Sequence, residues 1–171
     1  RLTTKPLEQP IRHLSNEQKS NIINGAYWLR QPGPNCQLVI AYQGAVADEA
    51  IKAAGTLGER YKDVAVLAVT SADRLNAGWT AAQSVRRNSH TRAKSHVEVL
   101  LESINNHANI VTVIDGHPAT LAWLGSVYGH KLISLGVEHF GQAGTIKDLY
   151  THFDIDADAI CSAALSFDAF V

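Results

Sequence analysis

The chain contains no methionine, two cysteines and five prolines among its 171 residues, and neither sign of charge is in excess. Each shortage excludes something. Cys36 and Cys161 lie far apart and outside any C-x-x-C spacing, which argues against a disulfide framework or a cysteine zinc site. Two small buried thiols in a reducing compartment are the expectation. With 15 Lys+Arg against 16 Asp+Glu the formal net charge is −1, so no broad positive field favours nucleic acid or an anionic membrane surface as partner. No apolar run approaches the roughly 20 residues that span a bilayer, and the opening residues do not read as a signal peptide. The missing methionine, with Arg1-Leu2-Thr3-Thr4 at the start, predicts a segment cut from a longer polypeptide. What is present is core material: 46% apolar and 18% charged residues, enough for one globular domain of ordinary size.

Four short β-rich runs punctuate the sequence: 37–42, 64–69, 110–114 and 131–135. They are nearly continuous in apolar residues, the pattern of strands buried on both faces of a mostly parallel sheet. Between them, 46–60, 95–106 and 118–128 read as helices, with Val97, Leu100, Leu101 and Ile104 forming a clean i, i+3, i+4, i+7 stripe. Gly129 suits a left-handed cap. Residues 145–153 and 156–165 follow as two further helices, the latter opened by Asp156. Asn24 to Arg30 reads as an extra strand pairing antiparallel on an edge. The fold class is therefore α/β: a three-layer sandwich around a mostly parallel sheet of about five strands with one antiparallel edge strand. Residues 1–20, with Pro6 and Pro10, read as a linker from an upstream domain, and 21–171 as the domain itself.

The chemistry is sparse. His117, His130 and His139 stand near strand ends but lack the short spacings of a dedicated metal site. Gly44 follows a buried strand and opens a helix, yet 43–46 carries neither G-x-G-x-x-G nor the P-loop pattern, so a tight βα turn is the simpler account. Ser71, Asp115 and His117 have the residue types of a triad but no nucleophile elbow. Residues 84–96 hold Arg86, Arg87, Arg92 and Lys94 with no acid, readable as a grip for a phosphate or an acidic partner, or as a solvated loop. The acids between Asp148 and Asp158 have a plain account as helix N-terminal charges. Asp115-Gly116-His117-Pro118 lies just past a strand's carboxyl end, where open α/β sheets place ligands; alternatively it shapes a βα turn with Asp115 capping the helix. The residues alone thus predict a fold without a self-contained active site.

Several stretches nevertheless resemble the transketolase C-terminal domain. They are Leu135-Gly136-Val137-Glu138-His139-Phe140-Gly141-Gln142-Ala143-Gly144, then Leu149-Tyr150, then Phe153-Asp154-Ile155-Asp156-Ala157-Asp158-Ala159-Ile160. Asn24 to Arg30 is similar to the edge strand opening that domain, and Leu38 to Ala54 to its first strand–turn–helix. Val69 to Trp79 and Val113 to Pro118 look closer to the homodimeric first component of pyruvate dehydrogenase complexes than to sugar transketolases. Phe153-Asp154 stands where the family usually has Phe-Gly, and His139 where Arg or Gly is common.

The resemblance implies a parent that uses thiamine diphosphate and magnesium, both held by its other domains, with no cofactor or metal ligand in this segment. It implies further that the segment packs on the other domains of the same polypeptide and helps bury a homodimer interface, with a dehydrogenase complex core as a further partner. The expected compartment is the bacterial cytoplasm, or the mitochondrial matrix in a eukaryote. Asp115, His117, Glu138 and His139 are the candidate site residues, because all follow predicted strand ends on one rim. The rival of a different class is a non-catalytic anion-sensing or protein-interaction domain, with an anion at that rim and a partner on residues 84–96.

Overall fold

The computed structural model describes residues 13–139 and 141–170. Strands β1 (Ala26–Arg30), β2 (Leu38–Gln43), β3 (Val64–Val69), β4 (Asn109–Ile114) and β5 (Leu132–Leu135) form one sheet in the order β1-β3-β2-β4-β5. β1 runs antiparallel to β3, and the remaining pairs are parallel. Every residue of β3, and all of β2 but Gln43, is buried, which is what their unbroken apolar runs demand. β1 instead alternates: Ala26 and Trp28 enter one core, while Tyr27 and Leu29 pack on the other. β5 is an outer strand whose four residues are each half-buried.

Helices cover both faces. On one side, α3 (Ala72–Ser89), α4 (His96–Leu101) and α5 (Ala119–Ala122, continued by a 3₁₀ turn at Trp123–Ser126) enclose a core with Leu67, Leu75, Leu101, Ile110, Leu121 and Leu124. On the other, α2 (Ala47–Leu57) and α7 (Ala157–Ser166) close over Leu38, Ile40, Val66, Val111, Val113 and Ile160. This is a three-layer α/β/α sandwich. Each fully buried Leu or Ile contributes about 1.5–3 kcal/mol of transfer free energy. α1 (Asn16–Ile23) straddles the boundary at residue 20 between the stretch read as a linker and the domain; Ser15 and Gln18 form its capping box, and residues 1–12 fall outside the described ones. α6 (Ile146–His152) is capped by Thr145, and α7 by Asp156, whose carboxylate accepts from the Ala159 N–H at 2.9 Å. No helix among the described residues is long and apolar enough to cross a membrane.

Three expectations need correction. α3, the longest helix, has no counterpart in the sequence reading, because only Ala72, Leu75 and Ala82 are buried along its 18 residues and only a sparse apolar stripe marks it. Residues 84–96 are not simply a solvated loop: 84–89 complete α3, whose C-cap His90 takes a left-handed φ of 52°. Arg86 then turns inward, donating to the Ala93 carbonyl at 2.7 Å and pairing with Glu98 at 2.8 Å. The acid that balances the basic cluster sits just past its end, and only the fold brings the two together. Finally, the helix expected over 118–128 is a short α-turn and a 3₁₀ turn, closed by Gly129 at φ 78°.

Candidate functional site

The sheet order sets where a ligand can enter. From β2 the chain passes to β3 on one side, and from β3 it crosses to β4 on the other, so the connections leaving β2 and β4 diverge at their carboxyl ends. Such a switch point opens a crevice in α/β sheets. Here its two lips are Gln43-Gly44 and Asp115-Gly116.

The crevice is closed by its own residues. Gly44 has φ 86°, and a Cβ built there would run into the Asp115 carboxylate. Glycine is thus required twice, by backbone conformation and by the close approach of an acid. Tyr150 of α6 lies beside this junction, its hydroxyl donating to the Ala45 carbonyl at 3.2 Å. Burial, followed by the charges of Asp115, Glu49 and Asp48, pushes the Tyr150 phenol above its usual range. Beneath them, the buried Gln43 Oε1 has no hydrogen-bond partner among the described residues.

His117 and Ser71 are occupied locally. The exposed His117 accepts the Ala119 N–H at Nδ1 (3.2 Å), helping to satisfy the start of α5. Ser71 accepts from the Arg74 N–H as the N-cap of α3. Ser71, Asp115 and His117 therefore serve three separate local structures.

Glu138 and His139 have a different setting. The chain leaving β5 is pulled against the β4 turn, with the Val137 N–H donating to the Gly116 carbonyl at 2.8 Å. Gly136 permits this, since a Cβ there would strike Gly116 and Pro118. A cleft of about 310 Å³ results between the end of β5, Pro118 and the α6–α7 corner; Glu138, His139, His152, Phe153 and Asp154 wall it. The ring of His152 meets Phe153 edge-on at 4.9 Å. Asp154 holds φ 52°, the left-handed conformation for which glycine is the cheapest residue.

The fold thus divides the four candidates: Glu138 and His139 share the cleft, Asp115 seals the switch point, and His117 caps a helix. Sequence reading did not select Tyr150, His152 or Asp154. Only Asp154 left a signal, by standing where the family pattern has glycine. Among the described residues, no group of three or more His, Cys, Asp or Glu side chains is placed to hold a metal ion.

Residues 25–156 match the family model described as "Transketolase-like TK C-terminal domain". No curated protein matches the chain significantly. Among solved structures, transketolase from Leishmania mexicana is similar with a TM-score of 0.60 and 20% identity, over 86% of this chain and 18% of that one. Transketolase from Campylobacter jejuni gives 0.58 and 19%, over 84% of this chain and 18% of its own. A split-gene transketolase solved as an inactive beta4 tetramer gives 0.58 and 18%, over 82% of this chain and 41% of that subunit. The chain accordingly spans less than a fifth of the first two structures.

Proposed function

Because the chain belongs to the transketolase-like TK C-terminal domain family, we propose that it is the third, α/β domain of a thiamine-diphosphate-dependent enzyme, nearer to the pyruvate dehydrogenase decarboxylating component than to sugar transketolase. The observation that carries this reading is the family match over 25–156. The sequences at 69–79 and 113–118 favour the pyruvate dehydrogenase branch over the transketolase one. In this role the domain supplies fold stability and interface area, within one polypeptide and across a homodimer. The inactive beta4 tetramer of the split-gene relative supports assigning the chemistry to domains other than this one. The cytoplasm of a bacterium, or a mitochondrial matrix, is the compartment we assign.

Thiamine diphosphate and magnesium fit poorly to the residues described. A diphosphate needs open backbone amides at a strand-to-helix turn, whereas the turn after β2 is covered by the Asp115 carboxylate, which would repel it. We therefore place both in the missing domains and route no step through this chain. Asp115, His117, Glu138 and His139 act from one rim: Asp115 and His117 by fixing the turn after β4, Glu138 and His139 by lining a wall against the neighbouring domain.

The test is turnover by the polypeptide that contains this segment, loaded with cofactor, against turnover by the 171-residue chain. Pyruvate-dependent reduction of an artificial electron acceptor by the longer polypeptide only is the expected result. Ketose transfer without pyruvate oxidation would move the parent to the transketolase branch, and turnover by the 171-residue chain unaided would overturn the third-domain reading.

A further inference from the structure

We infer that the outer edge of β5 is an interface between two copies of this chain, paired antiparallel about a twofold axis at Ser134 so that their sheets become continuous. The inference rests on β5 itself and not on the third-domain reading. Two printed bonds fix which backbone groups are open. The Ile110 N–H donates to the Lys131 carbonyl at 2.9 Å, and the Val137 N–H to the Gly116 carbonyl at 2.8 Å. The odd-numbered residues from 131 to 137 thus turn their backbone groups toward β4 and its turn. Alternate residues of an extended strand face opposite ways, so the N–H and C=O of Leu132, Ser134 and Gly136 point outward. No strand among the described residues pairs with that edge. The sheet finishes its two edges differently. At the other, β1 shifts register against β3 between Trp28 and Arg30, ends on the exposed Arg30, and has α1 packed beside it. Bulges, charges and cover are what keep an edge strand from pairing. β5 has none of these: its residues match β4 in unbroken register, and Leu132 to Val137 contains no proline and no charge.

Self-complementarity selects the occupant. With Ser134 on the axis, Leu132 stands opposite Gly136 of the second copy, and Ile133 opposite its Leu135. Ile133, Leu135 and Val137 are half-buried against the α2–α7 core, so that face continues across the junction as one apolar stripe of cross-strand pairs. On the other face, Ser134 Oγ accepts from Thr112 Oγ1 at 3.0 Å and keeps its own proton to donate to Ser134 of the second copy. Charge sets the direction. Lys131 and Glu138 bracket the apolar run and are both exposed. An antiparallel junction brings the Lys131 end of one strand beside the Glu138 end of the other, twice, whereas a parallel one sets like charges together. An unrelated strand would need both matches by chance; a second copy has them by symmetry. A strand run of this length spans only about 20 Å, so the interface is smaller than standard and the dimer weak.

The test is sedimentation of the 171-residue chain over a concentration series, with amide hydrogen exchange followed residue by residue. Association should rise with concentration, and the amides of Leu132, Ser134 and Gly136 should gain protection as it does. Those of Ile133, Leu135 and Val137, which face β4, should be protected throughout. Lys131→Glu and Glu138→Lys should each weaken association about threefold to tenfold, and the two together should restore it. Ser134→Pro removes an outward N–H where an edge strand tolerates proline and should abolish the dimer. Should that variant fail to fold, the exposed charge variants still decide. A chain that stays monomeric up to about 1 mM would overturn the inference. So would a dimer that ignores both charge reversals, or one whose outward amides gain no protection. Protection of those amides in a longer polypeptide, without association of the 171-residue chain, would overturn it too and assign the edge to a neighbouring domain. None of these readouts measures turnover, so the third-domain reading fails or survives separately.

Discussion

At the scale of single residues, Gly44 and His130 carry the sharpest expectations. Gly44→Ala adds a methyl group where the Asp115 carboxylate already stands, at a φ of 86°. It should cost about 1–3 kcal/mol, read as a lowered melting temperature; an unchanged value would mean that the turn relaxes freely. His130 is buried, its Nδ1 donating to the Ala108 carbonyl at 2.9 Å while Nε2 has no partner among the described residues. Burial lowers its pKa, outweighing the opposite pull of that hydrogen bond. The unfolded chain therefore takes up a proton near pH 6.5 while the folded one resists. Stability should be full above that pH and decline as pH falls below it. His130→Asn, which keeps a donor for Ala108 but cannot charge, should flatten the decline in melting temperature; an unaltered slope would assign it to other groups.

At the scale of elements, the joint between α3 and α4 depends on one inward-facing acid. Burial alone would raise the Glu98 pKa, but the Ser95 hydroxyl and amide, then Arg86, more than offset it and hold the carboxyl below its ordinary value. Ser95 N–H and Oγ both donate to Glu98 Oε2, at 2.7 and 2.6 Å. Removing Arg86 leaves a nearly buried carboxylate without its cation. A fully buried pair would lose 3–5 kcal/mol, but Arg86 is one-third exposed, 34%, so Arg86→Ala should cost about 1–3 kcal/mol in chemical denaturation. A change below a few tenths would show that water replaces it. Glu98 contributes this stability above its unfolded value near 4.5, and the contribution should vanish as pH falls through the lower folded value. α3 itself shows why such joints escape sequence reading. A helix with three buried residues among 18 carries only a sparse apolar stripe, and its docking combines Ala72, Leu75 and the Trp79 ring stacked on Trp123 with a charge pair between separate elements.

At the scale of the whole molecule, sheet order puts all the strand ends of interest on one rim, and function is expected to be felt there. In the polypeptide that contains this domain, His117→Ala and His139→Ala should each lower kcat/KM without unfolding the chain, through the helix start and the cleft wall respectively. Unchanged kcat/KM in both variants would remove that rim from the working surface. Much of the fold was legible because β2, β3 and β4 are apolar on both faces and Asp156, Gly129 and the antiparallel β1 carry local signatures. The candidate site was legible only in part. Glu138 and His139 were found by position after β5, whereas His152 and Asp154 belong to another helix and meet them only in space.

Composition and periodicity by themselves determined the α/β class, the five strands and the full burial of β2 and β3, since a strand covered on both faces must be apolar throughout; β5, read the same way, is an outer strand and only half-buried. The family resemblance came from local stretches whose order the chain preserves. Only the tertiary structure decided that Asp115 closes the switch point over Gly44, that Glu98 neutralises Arg86, and that the cleft gathers residues from β5 and the α6–α7 corner. Those outcomes depend on distances between segments remote in sequence, which packing fixes and no local pattern encodes.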